Sequence, residues 1–84
     1  MRVLWEEQAL ADLEEIADRA PRAAAHVYER VRWLADAAFP HAFRRLADDR
    51  DEHVLSVRPY IVLYAVEGDE LIVLGIDDAR RRER

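Results

Sequence analysis

Apolar residues change their spacing along this chain, and each change marks an element. Arg2 to Trp5 alternates and carries β-favouring Val3 and Trp5, which predicts a short first strand. From about Glu7 the period becomes helical, with Leu10, Leu13, Ile16, Ala17 and Ala20 on one stripe, acids at the start and Arg19 near the end. Pro21 suits the first turn of a second helix, where a missing N–H costs nothing. There Ala24, Val27, Tyr28, Val31, Leu34, Ala35 and Ala38 recur at i, i+3, i+4 and i+7. This stripe is too short for a coiled-coil seam and predicts a helix packed on its own sheet. Phe39-Pro40 is expected to end it.

The rest of the pattern is β. Phe43 to Leu46 is a possible short strand, followed by a polar turn at Asp48-Asp49-Arg50-Asp51. His53 to Arg58 alternates, with Val54, Ser56 and Arg58 on one face and His53, Leu55 and Val57 on the other. Tyr60 to Val66 is apolar throughout, as a central strand covered on both faces would be, and Leu71-Ile72-Val73-Leu74 is its partner. Gly68-Asp69 between them is a tight-turn pair, and Gly75 predicts a bulge or a close backbone approach. The expected fold is α+β, in the order β-α-α-β-β-β, a helical hairpin packed on a small antiparallel sheet with one face left for function. Residues 1–84 read as a single domain.

Composition narrows the chemistry. There is no Cys, no Lys, no Thr and no Asn, and Ser56 is the only serine. Disulfides, thiolate catalysis, Schiff-base lysines and phosphate-binding P-loops are therefore excluded, and Ser56 lacks any nucleophile-elbow context. His26, His41 and His53 stand at no paired ligand spacing, so neither a metal site nor a cofactor is expected. No apolar run is long enough to span a bilayer and the start turns acidic by Glu6, which gives a cytoplasmic expectation with no membrane partner.

The net charge of −5 is unevenly spread. Residues 1–40 carry 5 Arg against 8 acids and residues 41–79 carry 4 against 9, whereas residues 80–84 carry 4 against 1. An acidic body is a poor general binder of nucleic acid, but a local arginine patch can grip a few phosphates. The residues left to carry function are Arg44, Arg45, Arg58, Tyr60, Tyr64, Arg80, Arg81 and Arg82. Arg58 ends one strand before Pro59 and the triple-Arg run leaves another, so an antiparallel sheet would bring them toward one region. Asp77-Asp78 is expected to cap the strand end and pair with these arginines.

The run Val57-Arg58-Pro59-Tyr60-Ile61-Val62-Leu63-Tyr64-Ala65-Val66-Glu67-Gly68-Asp69-Glu70-Leu71-Ile72-Val73-Leu74, closing on Arg80-Arg81-Arg82, resembles the C-terminal signature of the RelE/ParE toxin superfamily, also called plasmid stabilisation proteins. Ala9-Leu10-Ala11-Asp12-Leu13-Glu14-Glu15-Ile16 is similar to that family's first-helix pattern. The resemblance implies the toxin of a bacterial type II toxin-antitoxin system, a growth inhibitor neutralised by an antitoxin encoded beside it. It also implies one of two actions. RelE-like members cleave mRNA on the ribosome without a metal, the substrate's 2′-OH attacking its own phosphate. ParE-like members bind and inhibit DNA gyrase.

For the RNase, position makes Arg58 and Arg81 the catalytic candidates, with Arg44, Arg45, Tyr60, Tyr64, Arg80 and Arg82 as partner or phosphate contacts. Several departures favour the ParE-like or otherwise non-RNase branch: no Lys, a pI of about 5.1, Asp77-Asp78 where many relatives place His, and Ile61 where many carry Arg. A third reading is a non-toxic binding module of the same fold.

Overall fold

The computed structural model describes residues 1–37 and 52–82. Its elements are β1 (Arg2–Trp5), α1 (Glu7–Arg19), α2 (Pro21–Asp36), β2 (Glu52–Val57), β3 (Tyr60–Glu67), β4 (Glu70–Asp78) and the single turn α3 (Ala79–Arg82). Phe39-Pro40, the expected strand at 43–46, the turn at 48–51, and with them Arg44 and Arg45, lie outside the described residues.

The four strands form one sheet in the order β1-β4-β3-β2. The expected antiparallel sheet is in fact mixed. β2, β3 and β4 run antiparallel in sequence, but β1 pairs parallel with β4, from Arg2 opposite Glu70 to Trp5 opposite Val73. The α1–α2 hairpin supplies the crossover that a parallel pairing needs. An ion pair between Arg2 and Glu70 closes the start of this ladder.

One residue joins the two helices. The Ala20 N–H donates to the Ile16 carbonyl at 2.7 Å, and the Ala20 carbonyl accepts from the Ala24 N–H at 3.1 Å, so it ends α1 and opens α2 at once. Pro21 then fits because the first helical N–H has no intrahelical acceptor. α2 stops at Asp36, with the Ala37 N–H turned onto the Leu34 carbonyl at 3.1 Å.

The core lies between this hairpin and one face of the sheet. Val27, Val31 and Leu34 of α2 meet Leu55, Val62, Tyr64, Leu71 and Val73 of the strands, all essentially inaccessible to water. The stripe of α1 is rotated from its expected phase: Ala9, Leu13 and Ile16 face the core, whereas Leu10 is 45% exposed. Tyr28, placed on the α2 stripe by its spacing, is 53% exposed and stacks on Trp5 with ring centroids 6.0 Å apart. β3 is most deeply buried on its helix-facing side, and on the opposite face Ala65 is also buried. Tyr60, Val62, Tyr64 and Val66 point to the helices, while Ile61 and Leu63 on the opposite face stay half-buried.

The β3–β4 hairpin turns at Gly68, whose φ is +61°, and Asp69 keeps a negative φ. Positive φ at the first central position alone is the pattern of a type II′ turn, which matches strand twist and favours glycine there. Farther along, Leu63 pairs with Gly75 but Tyr64 pairs with Val73, so Leu74 is an extra residue, a bulge beside Gly75 as expected.

Candidate functional site

The bulge re-aims the end of β4, and α1 holds it there. The Ile76 N–H donates to Asp12 Oδ2 at 2.9 Å, while Gln8 Nε2 donates to Asp12 Oδ1 at the same distance. Asp12 was not among the sequence candidates. Its signal was present, because Ala9, Asp12 and Ile16 share one helical face and place an acid among buried positions.

Beyond Ile76 the chain reaches the arginine run. The register sets Tyr60 opposite Asp78, and the Ala79 N–H donates to the Pro59 carbonyl at 2.9 Å, which docks α3 on the turn between β2 and β3. That turn is Arg58-Pro59, joined by a cis peptide bond. Tyr60, Arg58, Arg80 and Arg81 thus gather at one end of the sheet, as the sequence led one to expect.

They do not share one cavity. Arg58 and Arg80 line a shallow pocket of about 420 Å³ together with Ser56, Pro59, Tyr60, Ile61 and Ala79. Arg81 instead faces a small polar cleft of about 50 Å³ between α1 and β4, shared with Asp12, Glu15, Arg19, Asp77 and Asp78. Tyr60 touches both, although it is only 6% exposed.

Acids hold most of these arginines. Arg80 forks onto Asp78 through Nε at 3.0 Å and Nη2 at 2.8 Å, and the Arg80 N–H also donates to Asp78 Oδ1 at 2.9 Å. These bonds hold the Asp78 carboxyl down at about 2 and raise the Arg80 guanidinium above its ordinary value. Asp77 caps the strand end, its Oδ1 accepting the Asp78 N–H at 3.0 Å. Arg81 lies 3.6 Å from Glu15, which also faces Arg19 at 3.9 Å. Arg58 is exposed and pairs with no carboxylate among the described residues.

Tyr64 is placed elsewhere. It is wholly buried and stacks on the equally buried His53, centroids 5.2 Å apart, so it packs the core and presents no surface to a partner. No three His, Asp or Glu side chains among the described residues are grouped as metal ligands. No helix among them is long and apolar enough to cross a membrane.

The model of one protein family, described as the ParE toxin of the type II toxin-antitoxin system parDE, matches residues 3–83. The chain belongs to the ParE toxin family. Among solved structures, one described as the chromosomal ParDE toxin-antitoxin system from P. aeruginosa superposes with a TM-score of 0.76 at 26% identity, covering 93% of this chain and 95% of the other. No curated protein matches in sequence. The match to the ParE family runs through every element described, including the parallel β1 that makes the sheet mixed. This ParE-family chain therefore has the RelE/ParE-like α+β fold, ordered β-α-α-β-β-β.

Proposed function

We propose that this ParE-family protein inhibits growth by binding an essential partner, DNA gyrase, and that an antitoxin encoded beside it silences it by direct contact. The observation that carries the reading is the family match over residues 3–83. The site geometry supports action by binding. Arg58 and Arg81, the pair an mRNA-cleaving centre would use, line different cavities, and Arg81 is engaged by Glu15. Cleavage by a substrate 2′-OH needs several groups converging on one phosphate.

The antitoxin has a surface to cover. Leu4 is 42% exposed, and Ile61, Leu63 and Ile72 lie half-buried on the sheet face opposite the helices. An apolar sheet face of this kind favours association with a second chain.

Induced expression in a bacterial host tests the reading. Growth is expected to stop and to resume when the neighbouring reading frame is co-expressed, and the purified protein is expected to block gyrase supercoiling. Normal growth without antitoxin would sink the toxin reading and leave the non-toxic binding module. Ribosome-dependent mRNA cleavage lost in Arg81→Ala would replace gyrase with message as the target.

A further inference from the structure

We infer that the pocket at the β2–β3 turn is a binding site for a single phosphate group carried by a small molecule, with Arg58 as its anchoring cation. Strand geometry builds the site. Ser56 lies on the exposed face near the end of β2, Arg58 follows in the turn just past the strand, and both line the same pocket. Pro59, Ile61 and Ala79 provide an apolar wall, and Arg80 closes the opposite side. The volume of about 420 Å³ falls in the range of small-ligand pockets.

Charge selects the ligand. Arg80 is neutralised by its fork onto Asp78, whereas Arg58 has no acid partner among the described residues, so the pocket carries one uncompensated positive charge. A guanidinium offers paired N–H donors that match a phosphate, and the Ser56 hydroxyl adds a neutral donor beside it. Arg80 is already oriented by Asp78, so its wall needs no reordering when a ligand enters. A nucleic-acid strand does not suit the site. Backbone binding draws on many cations at once, and this chain has a net charge of −5. A lone phosphate, free or as a monoester whose organic part lies on Pro59 and Ile61, needs only the one cation present.

Ile61 also belongs to the sheet face proposed for the antitoxin, so the site is tested on the purified protein alone, by following backbone amide shifts in NMR. Inorganic phosphate and adenosine 5′-monophosphate are titrated separately against sodium chloride of equal ionic strength. Saturable shifts at Ser56, Arg58 and Ile61 are expected with phosphate and not with chloride. Arg58→Ala should weaken binding roughly tenfold or more, the scale of a charge-assisted pair. Arg22→Ala, another exposed arginine outside the pocket, should leave it unchanged. Tighter binding of the monophosphate, with added shifts at Ile61, assigns the site to phosphomonoesters; equal binding assigns it to the free ion. Shifts that match the chloride control, or that persist in a folded Arg58→Ala protein, overturn the proposal.

Discussion

The carboxylate of Asp12, in the middle of α1, accepts the backbone N–H of Ile76, sixty-four positions later in the chain, at 2.9 Å. This bond ties the helical layer to β4 just past the bulge, where the strand ladder is interrupted. Asp12→Ala leaves that amide without its acceptor and is expected to cost about 1–3 kcal/mol. Urea unfolding measures the loss. Hydrogen exchange should quicken at Ile76 more than at Val62, and Asp12→Asn, which keeps a carbonyl acceptor, should lose less.

Arg80 sets the acid behaviour of Asp78. The carboxyl is held at about 2, below its ordinary 3.8, first by the side-chain hydrogen bonds from Arg80. A depressed carboxylate contributes stability that is fully present above the unfolded value and lost as pH falls through the folded one. The contribution should therefore fade between about pH 4 and pH 2. In Arg80→Ala the Asp78 carboxyl, followed by NMR titration, should return toward 3.8.

Tyr64 fills the middle of the core against His53. Truncation to alanine removes a fully buried aromatic ring and is expected to cost about 3–5 kcal/mol. Thermal unfolding should show a large fall in Tm, and growth inhibition should vanish together with the folded protein.

Gly68 occupies the left-handed region at φ +61°, with no atom near where a Cβ would stand. The penalty of Gly68→Ala is therefore conformational alone. It should amount to about 1–2 kcal/mol in denaturant unfolding, with the hairpin register unchanged.

Elements written in local spacing were legible from the sequence. The period of 3.6 in Val27, Val31 and Leu34 marked a helix and its packed stripe, and the alternation of His53, Leu55 and Val57 marked a strand, whose buried face only the packing decides. Pairing between distant segments was not written there. Nothing local in Arg2-Val3-Leu4-Trp5 states that its partner is Glu70 to Val73, or that the two run parallel. Tyr28 and Tyr64 show the same limit, since an amphipathic ring satisfies either a core or a rim, and only the neighbours Trp5 and His53 decide which. At the site, the clustering of Arg58 with the arginine run followed from strand order. Its division into an occupied Arg81 and an open Arg58 depended on Glu15, an acid whose place opposite the last turn is fixed by tertiary packing.

The parallel join of β1 to β4 also sets an order of events at synthesis. The first strand emerges from the ribosome with no neighbour to receive it, because its partner lies 68 residues later. Loops of that span close slowly, and the sheet cannot be completed until β4 is made. A translation product cut short before β4 lacks the strand on which both β1 and β3 pair. A growth inhibitor with this wiring becomes competent all at once, and only after β4 has been made.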